Sequence, residues 1–137
     1  VMFKNWAAQM RLDADDREWL KHAEKYAHNE EEGVPASGRF NAGQKLLFWF
    51  QALAGFVLLL TGVVLWFPEV MPRLPRLVAI LIHPLAGVGA IGMIILHVYM
   101  GTAAVPGAFR AMIRGTVSPG WARAHHGKWL RETSSGR

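Results

Sequence analysis

The chain has 137 residues, of which 52% are hydrophobic, and it contains no cysteine. The missing thiol excludes disulfides, iron–sulfur ligation by this chain and thiolate-ligated haem, so a redox role would depend on histidine-ligated haem or on a quinone. The formal net charge of +5 is compatible with nucleic-acid binding, but the basic residues flank apolar runs and alternate with acids near the N-terminus. We therefore expect this charge to face a membrane surface, and we predict no nucleic-acid partner.

The first zone, residues 1–37, is polar and charged, and we interpret it as a cytoplasmic or interfacial segment. A broken apolar stripe and an acidic start predict a helix over about residues 13–29, because acidic side chains stabilise a helix N-terminus. The run of three glutamates before Gly33 and Pro35 should end it. The stripe consists of Trp6, Met10, Trp19 and Leu20.

Two long apolar runs dominate the second zone, residues 38–105. The first covers about residues 46–67, where Gln51 and Thr61 interrupt it, and the second covers about residues 77–105. Each is longer than the roughly 20 residues that cross about 30 Å of hydrocarbon. The rest of the chain has too little polar sequence to cover two such runs in water, so we predict an all-α membrane protein with two transmembrane helices.

The flanks of the two runs predict their orientation. Three prolines in the connection between the runs should keep it outside both helices, as an external loop. Lysine and arginine are more frequent before the first run and in the basic tail, residues 106–137, than in this loop. The positive-inside rule therefore places both termini in the cytoplasm, and we expect the chain to cross the membrane twice. The connecting prolines are Pro68, Pro72 and Pro75.

His83 and His97 lie inside the second run, where an ionisable side chain is costly and indicates a functional site. Their spacing corresponds to about 21 Å of helix rise and is about 40° short of four full turns, so both rings should share one face, one towards each membrane surface. Neutral imidazole is a common axial ligand of haem iron. The pair therefore predicts two b haems. Alternatively, the histidines form hydrogen bonds across a helix interface that Gly87, Gly89 and Gly92 allow to pack closely.

A bis-histidine haem needs two axial ligands, and this chain offers at most one to each haem. The first apolar run contains no histidine, methionine or cysteine. The opposing ligands should then come from other transmembrane helices, in another subunit or in a part of the protein outside these residues. The start at Val1, without an initiator methionine, leads us to expect a chain that has lost its N-terminal portion.

The remaining histidines give weaker indications. His125 and His126 are adjacent, and neighbouring side chains point in different directions on a helix, so they are poor joint metal ligands. We expect them at the membrane surface or against a partner. His22 and His28 are expected to be solvated.

Several segments resemble the cytochrome b (gamma) subunit of membrane-bound respiratory formate dehydrogenase. Residues 38–49, GRFNAGQKLLFW, resemble the segment that opens its third transmembrane helix. The end of its fourth helix and its tail resemble residues 97–100, 110–118 and 121–126, with sequences HVYM, RAMIRGTVS and WARAHH. The similarity extends from about Gly38 to Arg131, and residues 1–37 resemble the loop after the second helix only loosely.

The resemblance implies that this chain contributes two helices to a four-helix, two-haem bundle in a bacterial inner membrane. His83 would ligate the haem nearer the periplasm and His97 the haem nearer the cytoplasm. The first two helices of the family, which supply the opposing ligands, are absent here. Electrons would pass from a formate-oxidising catalytic subunit, through an iron–sulfur subunit and the two haems, to a quinone on the cytoplasmic side. The formate-oxidising site itself would lie outside this chain.

The same resemblance suggests a quinone site, since Asn41, Gly43 and Gln44 match the family loop beside the cytoplasmic haem. Asparagine and glutamine amides can bond quinone carbonyls, and Gly43 would let a ring approach the backbone. We expect the headgroup between this loop and the His97 haem. Alternatively, Asn41 caps the first transmembrane helix and Gln44 faces lipid headgroups.

Three other functions remain open on sequence grounds. The first is the cytochrome b subunit of a membrane hydrogenase or a related reductase. The second is a haem-free membrane anchor for a soluble enzyme. The third is a transporter fragment whose intramembrane histidines relay protons.

Overall fold

The computed structural model describes residues 7–27 and 33–135, and the regular structure in these ranges is helical. Two compact units divide the chain. Residues Leu47–Val98 form one, which we call the helical hairpin, and Val1–Leu46 with Tyr99–Arg137 form the other, which we call the polar unit. The helices are α1 (Ala14–Lys21), α2 (Ala23–Ala27), α3 (Ala42–Trp66), α4 (Arg73–Tyr99), α5 (Ala108–Arg114), α6 (Pro119–His125) and α7 (Gly127–Ser135), with a π-helical turn at Met100–Ala104. The predicted all-helical fold is confirmed.

The helix that we predicted over residues 13–29 is two short helices in the described part. Asp13 caps α1, because its carboxylate accepts from the Asp16 N–H at 3.0 Å while Asp16 accepts from the Asp13 N–H at 2.8 Å. The helix stops at His22, whose N–H bonds the Trp19 carbonyl at 2.9 Å. Met10 and Trp19 of the predicted stripe are buried, whereas Leu20 is exposed. Trp6 and the three glutamates before Gly33 lie outside the described residues.

Both long helices begin about four residues before the predicted starts. In α3, the side chains of Asn41 and Gln44 bond the first free N–H groups, so the helix begins at Ala42. In α4, Pro75 lies in the first helical turn, where no N–H is needed for an intrahelical bond. The expectation that all three connecting prolines lie outside the helices is therefore wrong for Pro75. Residues after Tyr99 continue as a π turn, closed by the Val105 N–H on the Met100 carbonyl.

Within the helical hairpin, α3 and α4 make direct side-chain contacts. The Gln51 amide donates to the Ala90 carbonyl at 3.0 Å. A methyl group built at Gly89 would lie 3.3 Å from Cζ of Phe50, and one at Gly87 would lie 3.9 Å from Leu58. Of the three glycines between the histidines, Gly89 therefore allows a close approach of the neighbouring helix, which is the role that the helix-packing alternative gives to these glycines.

The outer faces of the hairpin are strongly apolar. Ala42–Trp66 and Arg73–Ala104 are both long and apolar enough to cross a membrane. Large side chains such as Leu53, Leu59 and Val88 are 64%, 65% and 70% exposed. Apolar surface on this scale is unfavourable in water, so it fits lipid hydrocarbon or further apolar helices.

In the polar unit, the C-terminal tail folds back on the N-terminal segment. The His126 ring lies 2.8 Å from the Gly38 carbonyl through Nδ1, and the Lys128 N–H donates to the Ser37 carbonyl at 3.1 Å. The buried His125 packs against the rings of Tyr26 and Trp121.

Aromatic packing buries His125 within the chain, which corrects the expectation that it faces a membrane or a partner. His126 is half-buried, and its expected contact with a membrane surface or a partner stays a prediction. His22, expected to be solvated, lies 3.0 Å from the Glu18 carbonyl through Nδ1. His28 lies outside the described residues.

Candidate haem-binding site

The single helix α4 carries both candidate ligands, His83 and His97. Helix geometry separates them by about 21 Å along the axis and keeps them on nearly the same face. His83 is half-buried, and His97 is exposed. The predicted placement of both rings on one apolar helix is therefore present in the structure.

The His83 ring is held by the neighbouring helix α3. Its Nδ1 lies 2.8 Å from Oγ1 of Thr61, and the same oxygen lies 2.7 Å from the Val57 carbonyl oxygen. A carbonyl oxygen only accepts, so the one hydroxyl proton of Thr61 is directed to Val57. We therefore assign the ring proton of His83 to Nδ1, which donates to Thr61.

This assignment fits the chemistry of a haem ligand. With the proton on Nδ1, the Nε2 atom of His83 has a free lone pair, which is the form of imidazole that binds metals. Gly62 lies beside the ring, and a methyl group built there would be in ordinary van der Waals contact with the His83 Cε1 atom, at 3.5 Å. The residues around His83 therefore suit iron ligation through Nε2.

The exposed ring of His97 forms no hydrogen bond with the part of the chain that the structure describes. At Gly92, between the histidines, a methyl group would have nothing within 4 Å. Gly92 lies about 140° around the helix axis from His97, so this open surface is on a different face of α4 from the His97 ring. Over residues 7–27 and 33–135, no group of three or more His, Cys, Asp or Glu side chains could hold a free metal ion.

The residues that we predicted for a quinone site meet at the start of α3. The Asn41 side-chain oxygen accepts from the Gln44 N–H at 2.9 Å, and the Gln44 side-chain oxygen accepts from the Asn41 N–H at 3.0 Å. Asn41 is buried, whereas Gln44 is exposed. This reciprocal arrangement is a capping box, so Asn41 does cap the helix, as the alternative reading proposed.

Gly43 allows another close contact in the polar unit. A methyl group built there would lie 3.4 Å from Cη2 of the Trp19 indole and 3.4 Å from the Asn41 side-chain oxygen. An aromatic ring does approach the backbone at Gly43, and it belongs to α1 of the same chain. Asn41, Gly43 and Gln44 belong to the polar unit, and both histidines of α4 belong to the helical hairpin.

Sequence reasoning missed Thr61 and Trp19 as parts of these sites. The sequence did contain one signal for Thr61, because Thr61 and His83 are the same number of residues away from Pro72, which lies in the connection between the two helices. When two helices fold back on each other near Pro72, residues at equal distances from it lie at the same height along the hairpin. For Trp19, whose indole lies against Gly43, the sequence contains no comparable signal.

Comparison with known proteins assigns the family. Residues 1–115 match the family model described as prokaryotic cytochrome b561. The chain belongs to this family. Membership implies haem b as the cofactor, and together with the two apolar helices it identifies a membrane protein.

Several formate dehydrogenase subunits are similar to this cytochrome b561 family member. It is 40% identical over 134 residues to the cytochrome b556(Fdn) subunit of nitrate-inducible formate dehydrogenase from Escherichia coli K12. Identity is 36% over 135 residues to the cytochrome b556(fdo) subunit of the same strain, and 33% over 123 residues to the cytochrome b556 subunit of Haemophilus influenzae formate dehydrogenase.

These alignments cover 96%, 96% and 88% of this chain and 61%, 62% and 51% of the respective relatives. The chain therefore spans about three fifths or less of the length of the curated relatives that it matches. The resemblance to formate dehydrogenase cytochrome b subunits, noted in the sequence, is confirmed.

Proposed function

We propose that this chain is part of the membrane cytochrome b subunit of a respiratory formate dehydrogenase, and that it supplies one axial ligand to each of two b haems. The observation that carries the proposal is the presence of His83 and His97 on one apolar helix of a cytochrome b family member. The names of the similar proteins support formate as the electron source of the whole complex.

The two imidazoles are the iron-binding groups in this proposal. When bound, a b haem carries one electron at a time by alternating between ferric and ferrous iron. His83 offers Nε2, because its Nδ1 is engaged by Thr61. His97 offers an exposed ring at the other end of α4. The apolar faces of α3 and α4 would keep water away from both positions.

The opposing ligands would come from transmembrane helices outside these 137 residues. The described helix α3, Ala42–Trp66, contains no histidine, methionine or cysteine. The exposed apolar face of α4 would pack against those helices. An iron–sulfur subunit and a catalytic subunit would complete the complex and deliver electrons from formate.

The quinone would bind at the loop that opens α3. Gln44 is exposed there, and its side-chain oxygen already accepts the Asn41 N–H. Its amide NH₂ group is then the part of Gln44 that would donate to a quinone carbonyl. Our proposal includes a cytoplasmic position for this loop, so that protons for the quinol come from the cytoplasm.

The ligand assignment is tested in the intact complex, purified from membranes. His83→Ala and His97→Ala should each remove one b haem, measured by haem content and by the reduced-minus-oxidised spectrum. His22→Ala is the matched control, because this histidine bonds the backbone of α1 and lies outside both long helices. Full haem content in both α4 variants would refute the assignment. Identification of the co-purifying large subunit separates formate dehydrogenase from a hydrogenase.

A further inference from the structure

We infer that Thr61 is a positioning residue that fixes the tautomer and the orientation of His83 and thereby sets the reduction potential of the haem bound to it. The inference rests on the proposed ligation of iron by His83. It concerns the second nitrogen of the ring, the one that faces α3 rather than the iron.

The relay of hydrogen bonds has one direction only. His83 Nδ1–H donates to Thr61 Oγ1 at 2.8 Å, and the Thr61 hydroxyl donates to the Val57 carbonyl at 2.7 Å. Val57 is one helical turn before Thr61, a position to which threonine hydroxyls commonly bond inside helices. The acceptor of the His83 proton is therefore anchored on the backbone of α3.

The geometry also limits rotation of the imidazole. Thr61 is branched at Cβ and has few side-chain rotamers, and the bond to Val57 selects one of them. Gly62, the next residue of α3, also lies beside the ring, since a methyl group built there would lie 3.5 Å from the His83 Cε1 atom. Because Thr61 holds Nδ1, the direction of Nε2 is determined by α3.

A hydrogen bond at the far nitrogen of a ligating histidine raises the basicity of the ligating nitrogen. A more basic ligand favours ferric over ferrous iron and lowers the reduction potential. Thr61 should therefore keep the reduction potential of the His83 haem lower than it would be if the Nδ1 atom of His83 had no hydrogen bond. His97 has no hydrogen bond to the described residues, so changes at Thr61 should leave its haem unaffected.

The test uses Thr61→Val, which keeps the shape but loses the hydroxyl, and Thr61→Ser, which keeps the hydroxyl. Both are made in the intact complex, and the His83 haem is identified by its loss in His83→Ala. We expect the valine variant to shift the midpoint potential of this haem to a more positive value and to change its low-spin electron paramagnetic resonance signal. The serine variant should restore both, and the other haem should not change.

Gln51→Leu is the matched control, because it removes another side-chain bond between α3 and α4, the one to the Ala90 carbonyl. A similar potential shift in Gln51→Leu, or equal shifts in the valine and serine variants, would overturn the inference. An unchanged potential and signal in Thr61→Val would also overturn it, while leaving His83 as a ligand. Failure of His83→Ala to remove any haem would instead refute the proposed function.

Loss of the His83 haem in Thr61→Val but not in Thr61→Ser would support the inference, since valine keeps the shape of threonine but lacks the hydroxyl that serine retains. Bonds of this kind typically change metal affinity by about 10- to 100-fold. The comparison of haem occupancy therefore provides a second readout that does not depend on formate oxidation.

Discussion

The Lys45 ammonium lies 2.7 Å from the Asp16 carboxylate, and the two side chains are only 8% and 7% exposed. A second carboxylate, that of Asp13, lies 3.6 Å from the same ammonium. In the sequence, Lys45 is one of the positively charged residues that precede the first apolar run. In the structure it is a buried partner of α1, so it joins the N-terminal segment to the start of α3.

Removing one partner of this buried pair should destabilise the polar unit. Lys45→Met would leave the buried Asp16 carboxylate without its counter-ion, which typically costs about 3–5 kcal/mol. Asp16→Asn would leave the Lys45 ammonium with only the more distant Asp13 carboxylate, so its effect should be smaller. We expect faster hydrogen exchange in α1 and earlier proteolysis of the N-terminal segment in the purified complex. Lys21→Met is the control, because Lys21 and Glu18 form an exposed pair, 69% and 51% exposed. Equal effects of Lys21→Met and Lys45→Met would contradict the prediction.

The capping box allows the proposed quinone contact to be separated from helix stability. Gln44→Glu keeps an oxygen that can accept the Asn41 N–H but removes the NH₂ donor. Gln44→Leu removes both. We expect both variants to slow quinone reduction by formate while both haems are still reduced, and only the leucine variant to expose the start of α3 to hydrogen exchange. Normal quinone turnover in both would place the quinone elsewhere.

Close packing of the hairpin predicts that Gly89 does not tolerate a large side chain. Even a methyl group there lies 3.3 Å from Cζ of Phe50, so valine should force α3 and α4 apart. Gly89→Val should lower the melting temperature of the purified complex, and the second change Phe50→Ala should restore part of the loss. Gly92→Ala is the control, since nothing lies within 4 Å of its added methyl group. No rescue by Phe50→Ala would show that this contact is not the cause.

The stability of the contact between α1 and the C-terminal tail should decrease at strongly acidic and at strongly alkaline pH. Burial alone raises the pKa of Asp13, but the Asp16 N–H and the ammonium groups of Lys45 and Lys128 together lower it below its ordinary value of 3.8. The Asp15 carboxylate, 2.9 Å from Lys128, raises the pKa of Lys128 above its ordinary value of 10.5 through a hydrogen bond and its charge.

The stabilisation from Asp13 is present above pH 3.8 and is lost as the pH falls through its lowered pKa. That from Lys128 is complete below pH 10.5 and is lost as the pH rises through its raised pKa. Hydrogen exchange of α1, corrected for intrinsic rates, should therefore accelerate only at these extremes. Lys128→Gln should remove the alkaline acceleration and keep the acidic one, and an unchanged alkaline response would contradict the assignment.

The sequence by itself determined the two apolar helices, the placement of His83 and His97 on one of them, and the resemblance to formate dehydrogenase cytochrome b subunits. These features depend on composition and on spacing within one helix. Local backbone geometry fixes such spacing, because every residue adds the same rise and rotation. The predicted starts of the two helices were less accurate. Capping by Asn41 lets α3 begin earlier, and α4 begins earlier because the first turn of a helix tolerates Pro75.

Only the tertiary structure decided which residues face each other. Thr61 meets His83 because the packing of α3 on α4, at Gly89 and at the Gln51 bond to Ala90, sets their register. Asp16 reaches Lys45 across 29 residues, and Asp15 reaches Lys128 across 113. No local pattern encodes such pairs, because they form only when separate helices bury their surfaces against each other.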